Sequence, residues 1–330
     1  MNSRTKLDHF AKFAWFVLAW NLVVILWGVF LRASKSGDGC GQHWITCNGE
    51  VVPTAPELKT AIEFSHRVTS TIAGILIIIL VVWSYRRWRF LREARRWLTL
   101  KMAVASLIFV IIEGLLGRSL VLTGNTAMNL TPERPFWMAG HLINTFILLA
   151  CLTLTARYAS GSSEMRRKVP GKYIAALSVG AAMVFIVGTT GSIAALASMI
   201  FPSGTVLEGV AKDFSGTSNM LLRLRLLHPI TAILMSVFLI FLTGWLSKES
   251  GNDKAVKHWS NVLSVLVLAQ IAVGTATLLT LAPIVMQLGH LLLADLIWIS
   301  YVLMAASFLS QESLSLASAP LSPALDEVVE

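Results

Sequence analysis

Eight long apolar runs dominate the 330-residue sequence. Crossing the hydrocarbon core of a bilayer as a helix takes about 20 apolar residues, and unbroken runs lack the alternation of a membrane barrel. Only 14% of the residues are charged, too few for a soluble protein of this size. The sequence therefore predicts an all-α integral membrane protein with spans near residues 12–31, 62–84, 102–122, 136–156, 173–199, 224–246, 259–281 and 285–308.

The basic residues predict the orientation of these spans. A net charge of +9 could indicate nucleic-acid binding, but Lys and Arg cluster beside helix ends, where they act as topology signals and contact lipid head groups. Of 27 such residues, 18 lie before span 1 or between spans 2 and 3, 4 and 5, and 6 and 7. We therefore expect both termini in the cytoplasm, a retained first span, the bacterial cytoplasmic membrane as location, and lipid rather than nucleic acid as partner.

The two halves of the chain resemble each other. Three patterns recur in the same order: His-x-x-Thr in spans 2 and 6, Glu or Gln four residues before Gly in spans 3 and 7, and Gly-His-Leu in spans 4 and 8. This order predicts an internal duplication in which both halves insert the same way up. We expect two pseudo-symmetric four-helix bundles at 1–158 and 173–311, a cytoplasmic linker at 159–172 and a flexible acidic tail at 312–330.

Four of the seven histidines lie inside the spans. His66, His141, His228 and His290 fall in the first turns of spans 2, 4, 6 and 8, all of which begin on the outer side. One intramembrane histidine could simply bond a neighbouring carbonyl, but four at one depth indicate function. Zinc usually takes four ligands, whereas haem iron takes one imidazole on each face. Two histidines per bundle therefore predict a haem in each.

Arginines at the outer membrane edge are candidates for pairing with haem propionates. Topology signals alone would have put these positive charges on the inner side. Contact with lipid phosphate is the alternative, and the sequence leaves it open. The candidates are Arg67, Arg118, Arg223 and Arg225.

The surroundings of the histidines differ between the halves. Glu63 lies three residues before His66 and so on the same helix face, whereas Arg225 takes the equivalent position before His228. Only the first bundle is therefore expected to pair a carboxylate with its ligand. The glycines that precede the histidines of spans 4 and 8 would let a flat macrocycle approach, although ordinary helix packing explains them equally well.

Two of the three cysteines, Cys40 and Cys47, share the first outward loop, and Cys151 lies in span 4. The outer compartment is oxidising, which allows a disulfide. A pair of free thiols and a metal site remain alternatives. Cys151, surrounded by Leu and Ala, is expected to be a small buried hydrophobe.

Several of these segments together resemble the heme A synthase family. The first-loop and Glu-x-x-His-Arg signatures are specific, and the resemblance extends over all eight spans. The residues that carry it are Gly28-Val-Phe-Leu-Arg32-Ala-Ser-Lys-Ser-Gly37-Asp-Gly-Cys40, Trp44, Cys47-Asn-Gly49, Glu63-Phe-Ser-His66-Arg67, His141, Arg225-Leu-Leu-His228-Pro229 and Gly289-His290-Leu291.

The resemblance implies a membrane enzyme that oxidises a methyl group of haem O to the formyl group of haem A for cytochrome oxidase assembly. It implies a reaction site in the N-terminal bundle, with Glu63 in the chemistry and the haem substrate on His66 and His141. It assigns a b-type haem cofactor in the C-terminal bundle to His228 and His290. A purely structural ion pair with the arginine four residues on is the alternative role for Glu63.

The same resemblance implies a Cys40–Cys47 disulfide in the first loop, and haem O synthase and cytochrome oxidase assembly factors as partners. The chain departs from the family at Glu113, where Gln is usual, and at Arg118, which replaces a small residue. The electron donor or acceptor, the source of the new oxygen and the formation of a homo-oligomer stay open.

Two other functions fit parts of the pattern. A di-haem cytochrome that relays electrons across the membrane would place haems in both leaflets, whereas all four histidines are expected in one. A haem or solute transporter would use inverted repeats and discontinuous helices. The halves are expected to be parallel and the spans unbroken, which argues against transport.

Overall fold

The computed structural model describes residues 7–91, 94–129, 131–166, 168–251 and 253–311, so the predicted tail at 312–330 lies outside it. Eight of its helical segments are long and apolar enough to cross a membrane, which confirms the predicted all-α membrane protein with eight spans. The helices of the described residues are α1 His9–Ala33, α2 Leu58–Leu91, α3 Ala94–Leu122, α4 Arg134–Ala159, α5 Gly171–Ile200, α6 Val206–Phe214, α7 Met220–Arg225, α8 Leu227–Glu249, α9 Lys254–Leu279 and α10 Ile284–Leu309.

The sixth span is broken, so the prediction of unbroken spans was wrong there. Helix α7 ends at Arg225 and α8 begins at Leu227, with a turn at Leu226 between them. Pro229 explains the break, because proline has no N–H for the carbonyl of residue 225 and its ring crowds that carbonyl. The interruption falls at one end of the span, directly before His228.

The spans pack in two groups of four. Helices α1, α2, α3 and α4 contact one another in a closed ring, which we call the first bundle. In the second bundle, α5 packs on α8, α8 on α9, and α9 on α10, and α10 returns to α5. The Tyr301 hydroxyl closes this second ring by donating a hydrogen bond to the carbonyl of Leu177. Helices α6 and α7 lie between α5 and α8 in the chain.

Helices α4 and α10 form the centre of the molecule. Half of the apolar stretch of α4 and 61% of that of α10 is buried, against 28% or less in the other spans. Between them, Nε1 of Trp298 donates to the carbonyl oxygen of Phe146 at 2.7 Å. Such interhelical bonds contribute about 0.6 kcal/mol on average in membranes. Close side-chain packing, including the ring contact of these two residues, is therefore the main attraction between the bundles.

The connector between the halves, together with the last turn of α4, packs against the C-terminal end of α10. Arg157 donates to the carbonyl of Ala306 at 3.1 Å and to Oγ of Ser310 at 3.0 Å. The backbone N–H of Arg166 donates to the carbonyl of Leu309 at 2.9 Å. These bonds satisfy carbonyls that the end of a helix leaves without intrahelical partners, so the connector caps α10.

The loop between α1 and α2 is tied down at several points. Cys40 and Cys47 form a disulfide, which confirms that prediction and removes the free-thiol and metal alternatives. Thr60 of α2 donates its hydroxyl to the carbonyl of Gly39 at 2.7 Å. The contact is so close that a Cβ on Gly39 would lie 2.4 Å from the backbone carbon of Lys59. This segment, residues 34–57, is called the disulfide loop below.

Substitution of Gly39 by Ala is expected to detach the disulfide loop from α2. The added methyl group would meet backbone atoms, which cannot rotate away, and overpacking of this kind costs about 1–3 kcal/mol. The thermal unfolding midpoint of the detergent-purified protein should fall, and the loop should become more sensitive to protease. Gly216→Ala is the control, because a Cβ there would meet no atom within 4 Å. Equal midpoints for the two variants would contradict the packing described here.

Candidate haem-binding sites

The four intramembrane histidines lie at one depth in their spans. Counted from the start of each span, His66 and His228 are the ninth residue, His141 the eighth and His290 the seventh. At 1.5 Å per residue this is about 12 Å along the helix. The other three histidines are exposed: His43 lies in the disulfide loop, whereas His9 and His258, which were expected outside the spans, lie in the first turns of α1 and α9.

Each of the four imidazoles lies next to a glycine of the preceding membrane span. A Cβ on Gly28 of α1 would lie 3.0 Å from Cε1 of His66, and a Cβ on Gly191 of α5 would lie 2.9 Å from Cε1 of His228. In the other helix pairs, a Cβ on Gly117 of α3 and one on Gly274 of α9 would lie 4.0 Å and 2.9 Å from Cε1 of His141 and His290. At Gly28, Gly191 and Gly274 the missing side chain therefore leaves space that the ring occupies, whereas at Gly117 a Cβ would make only an ordinary contact.

The glycines directly before His141 and His290 have a different environment. A Cβ on Gly140 or Gly289 would meet no atom within 4 Å. Ordinary close helix packing, one of the two sequence interpretations, therefore does not explain them. Open space beside each ligand is what the approach of a flat macrocycle requires.

In the second bundle the two imidazoles face each other. The ring centroids of His228 and His290 lie 6.1 Å apart, with the ring planes at 87°. Metal–nitrogen bonds of about 2 Å set two opposed ligating nitrogens about 4 Å apart, and each ring centre lies about 1 Å further out. The observed separation thus leaves room for one metal ion between the rings.

The polar neighbours of these rings are neutral. Oγ1 of Thr190 lies 3.4 Å from Nδ1 of His228, and Nε2 of Gln270 lies 3.5 Å from Nε2 of His290. In both halves the His-x-x-Thr pattern has the same local effect. Thr69 bonds the carbonyl of His66 at 3.0 Å, and Thr231 bonds that of His228 at 3.1 Å.

In the first bundle, His66 and His141 lie close enough for their charges to interact. Nδ1 of each ring is buried and makes no hydrogen bond. A carboxylate adjoins His141: Oε1 of Glu113 lies 3.4 Å from its Nδ1, which is an ion-pair contact. From the sequence, Glu113 was part of a repeated pattern and a departure from the family, but no spacing rule places it beside a residue of another helix.

Glu63, the predicted reaction-site carboxylate, is buried beneath the disulfide loop. Its Oε2 accepts the backbone N–H of Cys40 at 2.9 Å, and its Oε1 accepts Nη2 of Arg67 at 2.5 Å. Arg67 in turn donates to the carbonyl of Thr46 at 2.9 Å. The ion pair considered as its structural role is therefore present, and Glu63 also holds the loop over α2.

The four arginines proposed for propionates differ in their partners. Arg67 is paired with Glu63, and Arg225 is paired with Asp213 of α6 at 2.5 Å. Arg118 lies over the ring of Trp44, and Arg223 donates to the hydroxyl of Ser218 and the carbonyl of Gly216, in the turn between α6 and α7. Within the described residues, Arg118 and Arg223 have no carboxylate within 4 Å, whereas Arg67 and Arg225 each have one.

Two further arginines lie at the same end of the molecule and were missed. Arg134, the first residue of α4, is 3% exposed and donates to the carbonyls of Thr126 and Asn129. Arg32, near the end of α1, lies 3.4 Å from Oε1 of Gln287 in the first turn of α10. The sequence did not single them out as propionate candidates, and the tertiary structure buries Arg134 and partly buries Arg32.

The ligand set fits haem iron better than a bare metal ion. Within the described residues, no three His, Cys, Asp or Glu side chains gather in a way that could hold a metal ion, which disfavours the zinc alternative. The second pair has room for a metal between its rings, Nδ1 of His66, His141 and His290 is unpartnered, and open space adjoins the glycines before His141 and His290. Those features match the needs of a macrocycle with two axial ligands.

The sequence matches the COX15-CtaA family of cytochrome oxidase assembly proteins over residues 11–302. It is 30% identical over 289 residues to the heme A synthase of Shouchella clausii, a match that covers 84% of this chain and 89% of that protein. The chain belongs to the heme A synthase family. The heme A synthase of Halalkalibacterium halodurans is 27% identical over 293 residues, covering 87% of this chain and 93% of that protein.

A second kind of relative is longer. A protoheme IX farnesyltransferase of Thermus thermophilus is 39% identical over 304 residues, covering 92% of this chain but 49% of that protein. The chain thus spans about half the length of the Thermus relatives that it matches. The family of the chain is therefore established. The Thermus relative is about twice as long, and its name applies to that longer protein.

Replacement of Gly191 by Ala is expected to weaken haem binding in the second bundle. The new methyl group would lie 2.9 Å from Cε1 of His228 and force the ring from its position. Loss of ligand orientation of this kind lowers affinity about 10-fold to 100-fold. The haem content and low-spin spectrum of the purified protein measure it. Gly244→Ala, in open space on α8, should retain both, and an unchanged Gly191→Ala spectrum would refute the ring contact.

Proposed function

We propose that the chain is a heme A synthase, which oxidises a methyl group of haem O to the formyl group of haem A for cytochrome oxidase assembly. The observation that carries the proposal is the presence of two histidine pairs at one depth in a member of this family. Coverage of 89% of a heme A synthase supports it, since the shared region is nearly the whole of that relative.

We further propose that the two bundles are pseudo-symmetric copies with different roles. Residues 1–158 would form the reaction domain and 173–311 the cofactor domain, joined by the linker 159–172. The matching His-x-x-Thr bonds and the matching glycine behind each imidazole support a duplication. The distribution of basic residues supports cytoplasmic termini in a bacterial cytoplasmic membrane, which puts the histidines in the outer leaflet.

In this proposal His66 and His141 hold the haem substrate, and His228 and His290 hold haem b. Haem b, when bound, would supply one-electron redox chemistry. Propionates would pair with Arg118 and Arg223, which lack a carboxylate partner. They would also pair with Arg67 and Arg225, although these two arginines already bind Glu63 and Asp213. The disulfide loop, fastened by Glu63, would limit the entry of water.

Glu63 is proposed to take up protons as the methyl group is oxidised. With water as the oxygen donor, the change from methyl to formyl releases four protons and four electrons. With dioxygen, one oxygen atom enters the formyl group and the other leaves as water. In either case hydrogen leaves the methyl carbon, its electrons pass to the oxidant, and the buried carboxylate of Glu63, one turn before His66, would take up a proton.

The partners follow from the same chemistry. Haem O carries a farnesyl-derived group, so a haem O synthase must act first, and cytochrome oxidase assembly factors would receive the product. The name of the Thermus relative, a farnesyltransferase of protoheme, supports a link with that preceding reaction. When water supplies the oxygen, an electron acceptor outside the chain must take the four electrons, whereas the overall reaction with dioxygen balances without one. A homo-oligomer is compatible with the fold.

The Glu63→Gln variant tests the reaction site. Because the amide cannot take up a proton, we expect haem O or a partly oxidised alcohol form to accumulate in place of haem A, while haem b remains bound. Mass analysis of haems extracted from cells that express the variant measures this. Haem A output equal to that of the unchanged protein would return Glu63 to a structural role.

A matched control separates chemistry from folding. Glu133→Gln changes an exposed carboxylate that precedes α4 and makes no side-chain cap bond, so haem A output should be normal. Protease sensitivity of the disulfide loop should be compared in both variants. A loss of haem A that occurs only together with a detached loop would indicate that Glu63 acts as an anchor.

The His228→Ala variant tests the cofactor site. Without one axial imidazole, the six-coordinate low-spin haem b signal should disappear from the reduced-minus-oxidised spectrum. Haem O should then accumulate, because the reaction site would have lost its redox partner. The exposed His258 gives the control, since His258→Ala should retain the signal. An unchanged haem b signal in His228→Ala would exclude the assignment.

A further inference from the structure

Glu113 connects α3 to the helix that carries His141. Its Oε1 lies 3.4 Å from Nδ1 of His141 and contacts the hydroxyl of Thr145. Its Oε2 accepts Nδ2 of Asn144 at 2.5 Å. Both polar partners follow His141 on α4 within about one turn, so the carboxyl group is fastened beside the ring.

The bonds of Asn144 define the role of this carboxyl group. Nδ2 of Asn144 also donates to the carbonyl of Phe109 at 2.9 Å, which uses its second N–H. The amide is thereby fixed as a donor, and Oε2 of Glu113 must accept. The side chain of Glu113 is 19% exposed, and its Oε1 lies 3.4 Å from a buried ring nitrogen, Nδ1 of His141, that makes no hydrogen bond.

The second bundle has an amide in the same place. Gln270 precedes Gly274 by four residues, as Glu113 precedes Gly117, and both glycines face the ring of the neighbouring histidine. Nε2 of Gln270 lies 3.5 Å from His290. The two residues thus hold equivalent helix positions and differ in charge, and Glu113 adjoins Nδ1 of its histidine whereas Gln270 adjoins Nε2.

We propose that Glu113 is a positioning residue that directs Nδ1 of His141 toward its carboxylate and leaves Nε2 for the haem iron, and that its charge makes this iron harder to reduce than the one in the second bundle. The inference rests on the proposed function, in which His141 is a haem ligand. A carboxylate bonded to the outer nitrogen of a ligating imidazole fixes its orientation and raises its basicity. A nearby negative charge also stabilises the oxidised iron.

The consequence concerns the direction of electron flow between the bundles. An electron shared by the two sites would favour the second one, where Gln270 adds no charge. The reaction site would thus tend to lose electrons to the cofactor site. This polarity suits a domain in which the substrate is oxidised.

Reduction potentials measured by spectroelectrochemistry test the proposal. The full-length purified protein is titrated with haem B as the probe until both sites are filled. The unchanged protein should give two potentials, and the His228→Ala background identifies the one that belongs to the first bundle. Glu113→Gln should raise that potential and leave the other. Gln270→Glu, the reciprocal exchange, should lower the other.

Two variants serve as controls. Glu133→Gln removes an exposed carboxylate at the start of α4 and should move neither potential. Glu113→Asp retains the negative charge, so its first-bundle potential should stay lower than that of Glu113→Gln. This comparison separates the effect of the charge from a loosened contact between α3 and α4. Unchanged potentials in Glu113→Gln, an equal shift of both potentials, or the same rise in Glu113→Asp would overturn the proposal.

Mass analysis of the extracted haems, carried out in parallel, separates this inference from the proposed function. Haem A from the unchanged protein together with an unmoved potential in Glu113→Gln overturns the role of Glu113 alone. The expected shift without any haem A supports that role and overturns the proposed reaction. Binding of one equivalent of haem B per chain overturns both.

Discussion

The low polarity of the bilayer interior is the constraint on which the rest of this structure depends. Without water, every backbone polar group must find its partner within the protein, and a helix satisfies this along its own length. The same condition applies to side chains, so an imidazole about two turns inside a span needs a reason to be there. Here each of the four rings faces a glycine, which shows that the neighbouring helices make space for imidazoles rather than tolerate them.

The central pair of helices determines how the two bundles face each other. Helices α4 and α10 carry the last histidine of each bundle and are also the most buried spans. Rigid packing at this contact, with Phe146 and Trp298 on its two sides, holds His141 and His290 in a constant relation. Two sites that exchange electrons benefit from such an arrangement, because transfer depends on a fixed separation.

The end of the first bundle that carries the disulfide loop combines covalent and electrostatic restraints. The disulfide closes the loop, and Glu63 joins it to α2 through the N–H of Cys40. Arg67 neutralises that carboxylate and bonds the loop a second time, at Thr46. In the proposed function, this carboxylate would link the position of the loop to the chemistry at His66. The second bundle has an ion pair near His228, between Arg225 of α7 and Asp213 of α6.

Much of this architecture could be predicted from the sequence, because hydropathy and helical spacing act within one segment. The eight spans, the depth of the four histidines and the i,i+4 pairing of Glu63 with Arg67 follow from residues close together in the chain. The break at Leu226 was missed although Pro229 signals it, since hydropathy does not register a single lost hydrogen bond.

Contacts between helices depended on the tertiary structure. The sequence singled out the glycines beside the ligands, whereas the packing makes those on neighbouring helices, such as Gly191, the ones that face the rings. It treated Glu113 as a family departure, whereas α3 against α4 sets this carboxylate beside His141. The reason is physical: a sequence determines which face of a helix a residue occupies, but the rotation and crossing of two helices decide which residues meet.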